Sequence, residues 1–122
     1  MKINIKTTSV ELSPAIHDYL NKKVAAFEKL ISKDDESAAI NVILAKISRH
    51  HQKGDIFKIE MNLHISGKVF QASSEGEDLY SVMDIVKDEI VKELKTYKDK
   101  KVSLIKRGGS KIKNSLKGIS KN

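Results

Sequence analysis

Apolar residues recur at every second position in one stretch of this chain, and at every third or fourth in two others. The alternation is clearest between residues 55 and 65. There Phe57, Ile59, Met61, Leu63 and Ile65 are interleaved with Lys58, Glu60, Asn62 and His64. A period of two predicts a strand with one buried face and one wet face. Ile3 and Ile5 alternate with Asn4 and Lys6 and predict a short first strand. Residues 38–47 are rich in β-branched side chains and predict another. Ser66-Gly67 predicts a hairpin turn, after which residues 68–73 return as a fourth strand.

Two stretches carry the helical period. In the first, Ser13-Pro14 supplies an N-cap and a first-turn proline. Ile16, Tyr19, Leu20, Val24, Phe27, Leu30 and Ile31 then follow at spacings that bury one face. In the second, Ser74 and Glu77 match a capping box, and Leu79, Val82, Met83, Val86, Ile90, Leu94 and Tyr97 form the stripe. Residues 33–37 are a polar break, and residues 48–54 (SRHHQKG) a basic loop. The order is therefore β-α-β-β-β-α. One-sided helices and a one-sided strand predict an α/β two-layer sandwich, a four-stranded mixed sheet with both helices on one face. The first two strands should be parallel, joined by a crossover, and the last three an antiparallel meander.

Charge divides the chain. The net charge is +7, yet seven basic residues and no acid lie in residues 101–122, so the first hundred positions balance. This divides the chain into an α/β domain at residues 1–101 and a basic, flexible tail at residues 102–122. An acid-free basic segment predicts a polyanionic partner. The chain has no cysteine, no apolar run of membrane-spanning length and no signal-like start, which fits a cytoplasmic protein. No nucleophile elbow, zinc-protease motif, Walker loop or dinucleotide fingerprint is present. His50 and His51 are adjacent in the basic loop, and His17 and His64 lie on different elements, so no metal set is expected. The chain is read as a non-enzyme without cofactor.

Helical spacing places the candidate cations. Lys87 and Lys98 fall at one edge of the second helix's apolar arc, and Lys95 and Lys92 continue round that flank. Lys22 and Lys29 share the outer face of the first helix. Lys23 sits inside the apolar arc beside Tyr19 and Phe27, and must reach out between the elements. Asp84, Asp88 and Glu89 are read as solvent-facing, with Asp88 and Lys92 as an i,i+4 pair. Taken alone, such a mixed face is ordinary solvated surface, with lysines complementing a helix dipole.

Three segments change that reading. VELSPAIHDYLNKKVAAFEKL, VFQASSEGEDLYSVMD and LKTYKDKK resemble the ribosome hibernation promoting factor family, also known as ribosome-associated inhibitors and sigma-54 modulation proteins. The resemblance spans residues 3–101, and its most specific part is the A-S-x-E-G-x-D-x-Y pattern at residues 72–80. It implies the same fold. It also implies binding to the decoding region of the small ribosomal subunit, where mRNA and tRNA sites are blocked and idle ribosomes preserved in stress or stationary phase. The rRNA contacts carried over are Lys23, Lys29, Lys92, Lys98 and Lys100, with Lys95 and Lys101 as neighbours and Lys22 and Lys87 alongside. Arg49, Lys53, Lys106, Arg107, Lys111 and Lys113 are auxiliary candidates.

The chain departs from the family pattern at His17, Ala26, Glu89 and Thr96, where basic residues are common, and Lys92 stands where Arg is common. The helix surface is thus diluted in charge, and the tail is the candidate replacement. The segment after the second helix is short, rich in Lys, Gly and Ser, and is not expected to form the ribosome-pairing domain of long forms. A short form is expected, monomeric when free, with a separate pairing factor as a further partner and no membrane partner. A general structured-RNA-binding module and a protein-interaction module with a membrane-touching basic tail are the alternative readings.

Overall fold

The structure, a computed structural model, describes the backbone of residues 1–48 and 54–117 and the side chains of residues 1–47 and 54–100. The elements are β1 (Lys2–Thr8), α1 (Pro14–Glu28), β2 (Ala39–Ser48), β3 (Asp55–Ile65), β4 (Lys68–Gly76) and α2 (Leu79–Lys117). The strands lie in the order β1-β2-β3-β4. β1 and β2 are parallel, and β2-β3-β4 is an antiparallel meander. The α/β sandwich read from the periodicity is the fold observed.

Register explains why one sheet face is apolar. Ile5, Val42, Met61 and Ala72 are in line across the four strands, as are Thr7, Leu44, Ile59 and Ser74. Above those rows sit Leu20, Val24 and Phe27 of α1, and Leu79, Val82, Met83, Val86, Ile90 and Leu94 of α2. Each of these helix residues is buried, and Tyr97 packs against the cluster while half-buried. The opposite face carries a row of amides: Asn4, Asn41, Asn62 and Gln71 are register partners in sequence across the sheet. Asn4 Nδ2 donates to Asn41 Oδ1 at 3.0 Å. Single-face burial thus requires both helices to share one side of the sheet.

Local signals place the ends of the elements, with three differences from the sequence reading. Ser13 caps α1 as expected, its Oγ accepting from the Ile16 N–H at 3.2 Å. Leu30 and Ile31, read as part of that helix, lie beyond its end. Their N–H groups bond the Phe27 and Glu28 carbonyls three residues back, which tightens the chain while both side chains stay on the core. The proposed capping box at Ser74 and Glu77 is also displaced. Ser74 belongs to β4, opposite Ile59, because the ladder continues to Gly76. Asp78 is the cap instead: its carboxylate accepts from the Tyr80 N–H at 3.1 Å and the Ser81 hydroxyl at 2.7 Å. Finally, α2 continues as helix to Lys117, beyond Lys101, where the sequence reading ended the folded part. Lysine and aliphatic residues favour helix there, against about 1 kcal/mol for each of Gly108 and Gly109. None of the described helices is long and apolar enough to cross a membrane.

The cap assignment is testable by urea denaturation. Asp78→Ala should lower stability by about 0.5–2 kcal/mol with an unchanged denaturant slope. Ser74→Ala should stay within about 0.5 kcal/mol of the parent chain. The reverse order of effects would restore the Ser74 cap.

Candidate nucleic-acid interface

Because both helices cover one sheet face, α2 has two different flanks. One meets α1, and the other overhangs the edge strand β4. The predicted cations divide between them.

On the α1 flank, a polar cluster closes the seam. Asp84 accepts from the Tyr19 hydroxyl, whose oxygen lies 2.8 and 2.9 Å from the two carboxylate oxygens. Lys23 Nζ lies 2.8 Å from Asp84 Oδ1 and 4.6 Å from the centre of the Tyr19 ring. The Tyr80 ring meets Tyr19 edge-on, with centroids 4.9 Å apart. Lys23 therefore does emerge between the elements, but it arrives already paired. The sequence reading set Asp84 on the solvent side, whereas it faces α1 and is half-buried. Helical spacing within α2 alone cannot register what the neighbouring helix supplies. Lys87 is likewise half-buried and pairs with the adjacent Asp88 at 2.6 Å. Asp88 is thus engaged with Lys87, and the expected Asp88–Lys92 pair is absent among the described residues.

Protonation follows this geometry. The Lys23 ammonium and the Tyr19 hydroxyl hold the Asp84 carboxyl below its ordinary value of 3.8, against the opposing effect of burial. Asp84 in turn raises Lys23 above 10.5 and Tyr19 above 10.0. The cluster therefore remains a charged pair throughout the neutral range.

The other flank holds cations that make no ion pair among the described residues, alongside Glu89 and Glu93. Lys92, read on the same flank as Lys87, and Lys100, carried over by the resemblance, line a groove of about 530 Å³ between α2 and β4. Lys68, at the start of β4, lines the same groove, and the sequence reading missed it. Its only signal was a cation directly after the Ser66-Gly67 turn. Lys22 is exposed on α1, and Lys29 is exposed at its C-cap. Lys95 and Lys98 are exposed on α2, four and seven residues beyond Val91, a partly buried residue packed against the core. Lys101, Lys106, Arg107, Lys111 and Lys113 lie on the helical backbone of α2, but their side chains are outside the described residues. Arg49 and Lys53 are also outside them. The arrangement can present lysines without an ion pair among the described residues along the exposed side of α2, interspersed with Glu89 and Glu93, but not from the seam, where Asp84 and Asp88 offset Lys23 and Lys87.

The seam should respond to acid with a defined sign. A carboxyl depressed on folding adds stability above its unfolded pKa, and that stability is lost as pH falls through the lower folded value. Asp84→Asn should cost about 1 kcal/mol at pH 7, the scale of a solvent-screened pair with an added hydrogen bond. Its deficit should shrink below about pH 4. Urea midpoints across pH 3–8 measure this, and a constant deficit would exclude the ionised pair as its cause.

Comparison with known proteins bears on the same elements. A profile described as Sigma 54 modulation protein / S30EA ribosomal protein matches residues 3–102. The ribosome hibernation promoting factor of Pseudomonas putida is 32% identical over 105 residues, covering 86% of this chain and 94% of that protein. That of Klebsiella oxytoca is 30% identical over 100 residues, covering 82% and 96%. The crystal structure of the Thermus thermophilus Protein Y N-terminal domain superposes with a TM-score of 0.66 at 23% identity, covering 80% of this chain and 99% of that one, a likeness of fold. With the profile running from β1 into α2 across every strand and both helices, the chain belongs to the Sigma 54 modulation protein / S30EA ribosomal protein family.

Proposed function

We propose that this protein is a ribosome hibernation factor. It binds the decoding region of the small ribosomal subunit, occupies the mRNA and tRNA paths, and keeps idle ribosomes inactive in the cytoplasm. The observation that carries this reading is family membership across residues 3–102, with relatives named for ribosome hibernation matching over most of their length. The distribution of charge supports it. Lys92, Lys95, Lys98 and Lys100 are exposed along one helix, and none has an ion-pair partner among the described residues. Exposed, unpaired lysines are the groups that release counterions from a phosphate backbone.

In this reading, residues 1–101 are the ribosome-binding unit and residues 102–122 a basic extension that supplements it. Glu89 and Thr96 dilute the charge of α2, and the extension adds cations without an acid. Binding involves no covalent chemistry, so the protein acts by occupancy and not as an enzyme. Lys23 then serves mainly to hold α1 against α2, and the exposed lysines of α2 serve as direct phosphate contacts.

Sucrose-gradient sedimentation tests the proposal. The protein should co-sediment with small subunits at moderate salt, and its confinement to free fractions would reject the ribosomal reading. Simultaneous Lys92→Glu, Lys95→Glu and Lys98→Glu should lower subunit affinity at least tenfold while leaving the folded circular-dichroism spectrum unchanged. Truncation after Lys101 should make binding less salt-sensitive, by nearly one unit of log–log slope for each phosphate that the extension neutralises. An unchanged slope would exclude the extension from the rRNA interface.

A further inference from the structure

The groove between α2 and β4 combines features that the α1–α2 seam lacks. Five charged side chains line it: Lys68 from β4, and Glu89, Lys92, Glu93 and Lys100 from α2. None of the five makes an ion pair among the described residues, although Lys23, Lys46 and Lys87 each do. The groove thus holds both signs of charge uncommitted, on an aromatic base. The Phe70 and Tyr97 rings meet edge-on there, with centroids 5.5 Å apart. Lys68 Nζ lies 5.7 Å from the Phe70 centroid and 5.9 Å from that of Tyr97. Cation–π attraction holds the ammonium at that end while Lys68 remains exposed.

The order of charges along the groove restricts what fits. Lys68 lies beside Tyr97 at one end, and Lys100 follows Tyr97 by about one helical turn along α2. Glu93 is one helical turn before Tyr97, about 5–6 Å along the axis, and about two turns before Lys100, and Glu89 is a turn further. A phosphate backbone laid along the groove would meet both carboxylates. One that crosses at the lysine end would avoid them and direct a base inward, past Tyr97 towards Glu93. A carboxylate accepts a hydrogen bond from a base's exocyclic amine, and has nothing to donate to a carbonyl.

We infer that this groove takes a single unpaired RNA nucleotide whose base carries an exocyclic amine, with its phosphate at Lys68 and Lys100 and its amine at Glu93. The inference rests on the RNA-binding reading above and adds a base preference to it. A site of this size suits one nucleotide. Lys68, absent from the sequence-derived contacts, becomes a binding residue, and Tyr97 becomes a stacking surface of the kind used for unpaired bases.

Cytosine and uracil differ at the decisive atom, an amine in one and a carbonyl in the other. Fluorescence anisotropy with the full chain and labelled hexacytidylate or hexauridylate, at one salt concentration, tests the assignment. The parent chain should bind the cytidine oligomer roughly three- to tenfold more tightly, the scale of one hydrogen bond to a charged group. Glu93→Met, an exposed helical substitution without an acceptor oxygen, should abolish the preference. Lys68→Gln should weaken both oligomers by a similar factor. Equal binding of the two oligomers by the parent chain, or a preference that survives Glu93→Met, would overturn the inference. Small-subunit co-sedimentation is read in parallel. Binding to the subunit without oligomer preference removes the groove and leaves the ribosomal reading in place. Oligomer preference without subunit binding does the reverse.

Discussion

Two helices with one apolar stripe each must share a single apolar sheet face, and the rest of the molecule follows from that constraint. The rows Ile5–Val42–Met61–Ala72 and Thr7–Leu44–Ile59–Ser74 supply the face. Leu20, Val24 and Phe27 cover one part of it, and Met83, Val86, Ile90 and Leu94 another. Neither helix can rotate without withdrawing fully buried side chains, at roughly 1.5–3 kcal/mol for each one exposed. The packing therefore sets which residues of α2 meet α1, which overhang β4, and which remain in water.

That division gives similar lysines different physical roles. Lys23 and Lys87 are half-buried and offset by Asp84 and Asp88, so their charge is already neutralised within the protein. Lys92, Lys95, Lys98 and Lys100 are exposed and remain available to an external anion. A polar cluster between two helices needs all of its hydrogen-bonding capacity matched. The half-buried Asp84 carboxylate meets the Tyr19 hydroxyl and the Lys23 ammonium on its protein side and keeps its remaining capacity for solvent. The seam consequently works as a fastening, and the exposed side of α2 as a contact surface.

The same logic applies at the β3–β4 turn. Gly67 takes a positive φ of 73°, the conformation glycine adopts without a Cβ penalty. The Ser66 N–H is fixed to Asp35 of the α1–β2 connection at 2.9 Å. The Asp35 carboxylate is held below its usual range by the Ser37 hydroxyl and by the Ser66 N–H. Lys68 leaves this anchored turn and lies over Phe70 and Tyr97, so its cation occupies a defined place at the mouth of the groove. A surface lysine on an unanchored loop would lack that placement.

Elements and faces were legible in the sequence because hydrophobic period is a local property. The alternation of Phe57 to Ile65 marked β3, the Leu79-to-Tyr97 stripe marked the buried side of α2, and Ser13-Pro14 marked the start of α1. The family signal lay in the same segments. Competing local signals misled where tertiary pairing decided the outcome. Ser74 and Glu77 have the spacing of a cap, but pairing opposite Ile59 keeps Ser74 in β4 and leaves capping to Asp78. Asp84 and Lys92 looked like neighbours on one solvated flank because a helical wheel contains a single helix. Only the tertiary structure sends Asp84 to Tyr19 and Lys23 and leaves Lys92 in the groove beside Lys68. The sequence by itself determined which faces are buried, since burial follows from the period of each element. The tertiary structure decided which charges cancel and which remain free, since that depends on neighbours tens of residues away in the chain.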